Sequence, residues 1–186
     1  MRRVIPVPED PAPVGLASET VHQPPFFTLE PEPEGAASRI EALVSAAFGP
    51  GRLAKTAERL REGNRILPAL SAVARVEEEI VGTVRVWPIR IGTVRSTFLG
   101  PIAVDPAYRC LKIGEALVRF VCEAAEAQGL SVLLVGDPPY FGRFGFVQAP
   151  KATLPGPVNP GRVLIWLPES LTDVPAGAVQ KGWSVA

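Results

Sequence analysis

Histidine, cysteine and tyrosine are scarce in this chain of 186 residues, which contains one histidine, two cysteines and two tyrosines. One histidine and two cysteines fall short of the four ligands of a usual structural zinc site, so we expect no metal centre. Cys110 and Cys122 lie on one predicted helix, roughly 18 Å apart along its axis at ~1.5 Å per residue, which is too far for a disulfide between them. Free thiols favour a reducing, cytoplasmic setting.

Long apolar runs and a surplus of charge are also missing. The 19 basic and 19 acidic residues cancel, whereas a dedicated nucleic-acid-binding protein normally carries a basic surplus. No apolar run approaches the length of a membrane span. The first residues, MRRVIPVPEDPAP, lack the apolar stretch of a signal peptide. We therefore expect neither a nucleic-acid partner nor a membrane span.

Proline and periodicity together suggest one domain between two tails. Residues 1–25 contain many prolines and no periodic apolar pattern, which predicts an extended or disordered tail that includes the only histidine, His22. Residues 26–167 carry the patterns of strands and helices and form the predicted domain. Residues 168–186 are expected to be a loosely held tail, in which Trp183 is the side chain suited to dock on the domain.

The apolar patterns predict the element order β-α-α-β-β-β-α-β-α-β-β. A helix is expected after Ala36, a second helix from Leu53 to Arg61, and a hairpin with strands from Leu70 to Val76 and from Ile80 to Ile91. Consecutive strands favour antiparallel pairing, whereas the strand–helix–strand unit from Phe98 to Val135 requires a parallel crossover. The predicted fold is therefore α/β (α+β), with a mixed, mostly antiparallel sheet of six to seven strands and helices on both faces.

The stretch from Phe98 to Gly129 organises the rest of the chain. Its apolar strand, FLGPIAV, ends at Asp105-Pro106, and a loop from Tyr108 to Gly114 leads into an amphipathic helix that ends near Gly129. The N-terminus of a helix carries unpaired N–H groups and partial positive charge. The loop and the start of this helix therefore form a candidate phosphate-binding site.

Two blocks of this sequence resemble a known family. LGPIAVDPAYR followed by K-I-G-EALV is similar to the acyl-CoA-binding core of the GNAT acyltransferases, and VLLVGDPPYFGRFGF is similar to the strand, turn and Gly-Phe pair that follow it. The amino-acid sequence of these blocks resembles that of the YhbS-like predicted N-acetyltransferases. The resemblance covers roughly Phe26 to Leu167 and implies the GNAT fold.

The resemblance also implies an activity and a site. The chain would be an acyl-CoA-dependent N-acyltransferase, with acetyl-CoA or another acyl-CoA as co-substrate and an amine of a small molecule or protein as the direct attacker of the thioester. The central strand would bulge beside the thioester, and the main chain of Ile102, Ala103 and Val104 would bind the acyl and pantetheine part. The diphosphate would bind to the turn formed by Arg109, Cys110, Leu111, Lys112, Ile113, Gly114 and Glu115.

Two positions depart from the family pattern. Lys112 stands where the pattern has its first glycine, at a point where a diphosphate must approach the backbone closely. Either a bound anion compensates this cation or the turn has lost its ligand. Phe141 stands four residues before Gly145, where many relatives carry a tyrosine that can donate a proton to the leaving sulfur. The neighbouring Tyr140 is the candidate donor.

These departures leave a second hypothesis open. The chain would then be a catalytically weakened GNAT-fold module that binds acyl-CoA or regulates a partner, with a protein partner or a second copy held through the tails. A further alternative concerns the segment after the first strand, which the resemblance places on the acceptor side. Its basic residues are either a solvated surface or a binding site for an anionic acceptor; they are Arg52, Lys55, Arg59 and Arg61.

Overall fold

The computed structural model of the protein describes residues 3–5, 26–49 and 56–183. Its strands are β1 (Arg3–Ile5), β2 (Phe27–Glu30), β3 (Ala72–Val76), β4 (Glu79–Ile91), β5 (Val94–Val104), β6 (Ser131–Val135), β7 (Val147–Gln148), β8 (Ala152–Thr153), β9 (Val163–Trp166) and β10 (Gly177–Lys181). Its α-helices are α1 (Ala37–Phe48), α2 (Thr56–Arg61), α3 (Ile113–Glu126) and α4 (Pro138–Gly142).

The described strands form one mixed sheet. Its order is β1-β2-β3-β4-β5-β6-β9-β7, and β10 pairs with both β4 and β8. Only β5 and β6 are parallel neighbours within that order. The predicted fold class is confirmed, although the described residues form ten strands instead of six to seven. Several of the additional strands have five residues or fewer, which is too short for a clear alternating pattern.

Helices cover both faces of the sheet because the strand side chains alternate between the faces. On β3, Val73 packs in a buried cluster with Ile40 and Val44 of α1. Its neighbours Ala72 and Ala74 belong instead to the larger cluster on the α3 side. The core therefore has two layers, one under α1 and one under α3.

Helix α3 lies unusually close to β4. Ile113, Leu117 and Val121 follow helical spacing and are fully buried. A Cβ atom at Gly82 of β4 would lie 2.8 Å from Cγ2 of Ile113, so only glycine permits this approach without displacement. Gly82 therefore sets the height of the first turn of α3 above the sheet.

Part of the expected C-terminal tail belongs to the sheet. Val179 of β10 is buried and pairs with Ile91 of β4, and Nε1 of Trp183 donates a 2.9 Å hydrogen bond to the Ser96 carbonyl. The expectation of a loose tail was wrong for these residues, because β4 supplies the pairing and a five-residue strand carries little pattern of its own. The expected N-terminal tail, 1–25, lies outside the described residues except for Arg3–Ile5, which pair with β2.

Two negative findings apply to the described ranges. None of their helices combines the length and the apolar character that crossing a membrane requires. No group of three or more His, Cys, Asp or Glu residues within these ranges is placed to hold a metal ion.

Thr83 provides a test of the core under α1. Its side chain is fully buried, and its hydroxyl has no hydrogen-bond partner. Because an unpaired buried hydroxyl retains its desolvation penalty, we expect Thr83→Val to raise the free energy of unfolding by about 1 kcal/mol in urea denaturation. Thr97→Val is the matched control. Thr97 is equally buried, but its hydroxyl donates a 2.9 Å hydrogen bond to the Ser131 carbonyl, so stability should fall. Destabilisation by both substitutions would contradict this interpretation.

Candidate active site

Strands β5 and β6 separate part-way along the sheet. They pair only over residues 96–98 and 131–133. Beyond these residues β6 continues along β9, and β5 continues along β4 to Val104. A wedge therefore opens between the carboxyl ends of two parallel strands, and its edges carry main-chain groups that the β5–β6 ladder does not use.

A bulge in β5 begins where the wedge opens. The β4–β5 register shifts between Val84 and Val86, so that Gly100 and Pro101 together face one residue of β4. The peptide bond between Gly100 and Pro101 is cis. The Gly100 carbonyl accepts a 2.6 Å hydrogen bond from Nε1 of Trp87. The bulge that the family resemblance implied is thus present, and Trp87 fixes one of its carbonyl groups.

Beyond the bulge, β5 presents two residues to the wedge. The N–H of Asp105 donates a 2.8 Å hydrogen bond to the Val81 carbonyl of β4. Alternate residues of an antiparallel strand direct their main-chain groups to the same neighbour. Ala103 therefore also points its N–H and C=O toward β4, whereas Ile102 and Val104 point theirs into the wedge. Of the three residues predicted here, two direct their main-chain groups into the wedge and one pairs with β4; their role in binding a ligand stays a prediction.

A cavity of about 470 Å³ occupies the wedge, a volume typical of small-molecule sites. Its walls come from β5, β6, α1, α2, α4 and the loop before β9. The lining residues are Val44, Phe48, Thr56, Ala57, Arg61, Phe98, Leu99, Gly100, Pro101, Ile102, Leu134, Val135, Phe141, Pro157, Val158 and Arg162.

The turn between β5 and α3 is a 3₁₀ helix, Pro106–Leu111. Oδ1 of Asp105 caps it by accepting a 3.1 Å hydrogen bond from the N–H of Ala107. Lys112 joins the turn to α3 in the left-handed conformation, with φ 57° and ψ 23°. Glycine adopts this conformation without strain, which explains physically why the family pattern has glycine at this position.

The N-terminus of α3 faces the same end of the sheet as the wedge. The first helical hydrogen bond runs from the N–H of Ala116 to the Lys112 carbonyl, at 3.1 Å. The N–H groups of residues 113–115 precede this bond and have no acceptor within the helix. They form the positively polarised end of the helix, and its role as a phosphate-binding site stays a prediction.

The predicted turn residues differ in exposure. Leu111 and Ile113 are buried in the core under α3, so only their main chains can reach a ligand. Gly114 and Glu115 are half-buried, and the exposed side chains are those of Arg109, Cys110 and Lys112. Leu111 is directed inward, so its side chain does not occupy the space beside the helix N-terminus.

Tyr140 and Phe141 point in different directions from α4. Phe141 lines the cavity. The Tyr140 hydroxyl lies over the first turn of α3, 3.3 Å from where a Cβ of Gly114 would be. Arg143 stacks 4.8 Å from the Tyr140 ring centroid and forms a 3.4 Å ion pair with Glu115. Tyr140 is therefore next to the turn and not among the residues that line the cavity; its role as a proton donor stays a prediction.

The comparison with known proteins decides the family. The model of the Acetyltransferase (GNAT) family matches residues 37–146, which is more than half of the chain and includes the wedge, the turn and α4. The chain belongs to the GNAT acetyltransferase family.

Individual relatives agree with this GNAT assignment. The chain is 30% identical over 171 residues to the uncharacterized N-acetyltransferase YjhQ of Escherichia coli K12, covering 84% of this chain and 89% of that protein. In fold it is similar to the E. coli GNAT protein YhbS, solved in complex with CoA, with a TM-score of 0.72, 22% identity, and coverage of 88% of this chain and 94% of that one. A GNAT acetyltransferase from Brucella melitensis, solved with acetyl-CoA, gives a TM-score of 0.62, 25% identity, and coverage of 84% and 96%.

The environment of Tyr140 in this GNAT domain keeps its phenol protonated. Burial raises the pKa of Tyr140, the Glu115 carboxylate raises this pKa further, and the Arg143 guanidinium lowers it. The net shift is upward from the ordinary value of 10.0. At neutral pH the hydroxyl is therefore a hydrogen-bond donor over the first turn of α3.

Sequence reasoning missed one charged residue of the cavity, Arg162. This residue closes the 3₁₀ helix Pro160–Arg162 before β9, and no motif or spacing connects it with the turn 50 residues earlier. Of the basic residues predicted as alternatives, Arg61 lines the cavity, whereas Arg59 donates a 2.7 Å hydrogen bond to the Pro155 carbonyl. Arg52 and Lys55 lie outside the described residues.

The two cysteines should differ in reactivity. Cys110 is exposed and Cys122 is buried, and burial raises the pKa of Cys122 to about 12. Because the thiolate is the reactive form, Cys122 stays protonated and unreactive at about pH 8. We expect Ellman's reagent to titrate one thiol in the native protein and two in urea. Cys110→Ser should abolish the native reaction, and Cys122→Ser should leave it unchanged. Reaction of both thiols in the native protein would contradict the described burial.

Proposed function

We propose that the protein transfers an acyl group, most simply acetyl, from a CoA thioester to an amine that attacks it directly. The observation that carries this proposal is the open edge of β5. The main chains of Ile102 and Val104 point into the wedge, Ile102 lines the cavity, and Cγ2 of Val104 lies 3.8 Å from where a Cβ of Gly114 in α3 would be. The CoA and acetyl-CoA bound to the two solved relatives support it. We include a cytoplasmic location in the proposal, in keeping with the free thiol of the exposed Cys110.

The described residues fit an acyl-CoA. Gly114 has no side chain over the first turn of α3, so the Tyr140 hydroxyl packs closely there, 3.3 Å from where a Cβ would lie, and the N–H groups of residues 113–115 point out of the helix. Arg109 and Lys112 add exposed positive charge beside them. These groups would hold the diphosphate, and the main chain of Ile102 and Val104 would hold the pantetheine and acyl part. The thioester supplies an activated acyl group with a thiol as the leaving group.

The contribution of the protein to the chemistry is mainly position and polarity. Main-chain donors on the open edge of β5 are fixed by the β4 ladder, so they can stabilise negative charge on an acyl oxygen without reorganising. The apolar walls exclude water, which would otherwise compete with the amine. None of the described residues that line the cavity is acidic or a histidine, so the acceptor would lose its proton to water or enter as the free amine.

A titration with acetyl-CoA tests the proposal directly. We expect binding heat with a Kd below about 1 mM, which corresponds to roughly 4 kcal/mol of binding free energy. Gly114→Val should weaken binding at least about tenfold, because its side chain would meet the Tyr140 hydroxyl, 3.3 Å from the Cβ position, and cover the neighbouring N–H groups of the helix N-terminus. Gly142→Val is the control, since a Cβ at Gly142 meets no atom within 4 Å. Absence of heat with acetyl-CoA and with longer acyl-CoAs would overturn the proposal.

Phe141 favours the second candidate function, a weakened module. Its ring lines the cavity and cannot donate a proton. The partner surface earlier expected on the C-terminal tail is reduced, because β10 is part of the sheet. A module of this kind would bind acyl-CoA and turn it over slowly.

Two substitutions on α4 test whether a side chain at position 140 or at position 141 can donate a proton to the leaving thiolate. Because proton donation is worth about 10²- to 10⁴-fold, we expect Phe141→Tyr to raise kcat at least about tenfold. Tyr140→Phe should weaken acetyl-CoA binding and change kcat less than about threefold, because its hydroxyl lies over the turn and not in the cavity. Steady-state release of the CoA thiol gives both constants. A large fall in kcat for Tyr140→Phe with unchanged acetyl-CoA affinity would instead identify Tyr140 as the proton donor.

A further inference from the structure

The cavity combines an apolar wall with positive charge. Apolar side chains contribute most of the wall; they include Val44, Phe48, Phe98, Leu134, Phe141 and Val158. The polar side chains are those of Thr56, Arg61 and Arg162. The Thr56 hydroxyl already donates a 2.5 Å hydrogen bond to the Pro157 carbonyl, so the two guanidinium groups dominate the polar character of the wall.

The two arginines differ in what surrounds them. Nη2 of Arg61 lies 3.5 Å from Oε2 of Glu58, and its side chain is only 11% exposed. Its charge is therefore largely compensated within the protein. Arg162 has no carboxylate partner among the described residues, so it supplies the uncompensated positive charge at this cavity.

Arg162 is also held in place. Its Nε donates a 3.1 Å hydrogen bond to the Gly136 carbonyl, and its own carbonyl accepts a 2.9 Å hydrogen bond from the N–H of Gly136. The Asn159 side chain fixes the preceding turn by accepting a 3.0 Å hydrogen bond from the N–H of Gly161. Tying Nε to the end of β6 orients the guanidinium plane and leaves its two terminal nitrogens as donors. A fixed pair of donors of this kind suits a carboxylate.

We propose that the acceptor is a compact amine that carries a carboxylate and an apolar side group, as hydrophobic amino acids do, and that Arg162 binds its carboxylate. The inference rests on the proposed acyl transfer at the same cavity. Its volume, about 470 Å³, must hold both the acyl group and the acceptor, which favours an acceptor of amino-acid size. The same wall disfavours polyamines and other polycations, because no described lining residue offers them a carboxylate.

Acetyl transfer to matched amines tests the proposal. The assay follows release of the CoA thiol from acetyl-CoA with phenylalanine, phenylalaninamide, phenethylamine and spermidine as acceptors. For the wild type we expect kcat/KM with phenylalanine to exceed that with each of the other three by at least about tenfold, the usual contribution of a charged hydrogen bond. Arg162→Gln should lower the phenylalanine value about 10- to 100-fold, mainly through KM, and change the phenethylamine value less than about threefold. Arg90→Gln is the control variant, because among the described residues the Arg90 guanidinium donates a 3.4 Å hydrogen bond to the Thr93 carbonyl, within the β4–β5 turn and away from the cavity lining.

The outcomes separate this inference from the proposed function. Equal wild-type use of phenylalanine and phenethylamine would overturn the inference, and this comparison needs no variant to fold. An equal loss for both acceptors in Arg162→Gln, with acetyl-CoA binding intact, would overturn it as well. Where no amine is acetylated, titration of phenylalanine into the protein with saturating CoA replaces the assay, and absence of binding overturns the inference alone. Failure to bind CoA at all overturns the proposed function and the inference together.

Discussion

The end of the β5–β6 ladder is the constraint on which the rest of the structure depends. Pairing stops after residues 98 and 133, and the bulge at Gly100 and Pro101 turns the remainder of β5 away from β6. Because β5 and β6 are parallel, the connecting helix α3 must begin at the carboxyl end of β5. One interruption in one strand therefore creates the cavity, frees the main chain of Ile102 and Val104, and places the helix N-terminus at the same end of the sheet.

Local signals predicted the parts of this arrangement that a short stretch of chain determines. The apolar spacing of α3 and the glycine at its end were visible in the sequence, and Gly129 adopts a φ of 62° there. The run 131–135 forms β6 with the bounds expected. Pro101 lacks an N–H and so marks an interrupted ladder. The GNAT resemblance added the role of the turn, because a phosphate-binding turn is built from main chain within a few residues.

Distant pairings determined what the sequence could not predict. Whether Ala103 or its neighbours face the wedge depends on the bond from Asp105 to Val81, and this bond is fixed by the β4–β5 register. Arg162 reaches the cavity only because β9 pairs with β6. Tyr140 and Phe141 are adjacent in sequence, yet the packing of α4 against α3 and β6 gives them different surroundings. These features follow from tertiary contacts, which no window of residues contains.

The pairing of β10 with β4 has a consequence for the nascent chain. During translation β4 leaves the ribosome about ninety residues before its partner β10, since Ile91 pairs with Val179. Until then, one edge of β4 near Ile91 has free main-chain groups beside apolar side chains that will later be buried. Such an edge can pair with another unfinished chain. The interval before β10 emerges is thus the period in which this edge of β4 is most open to aggregation.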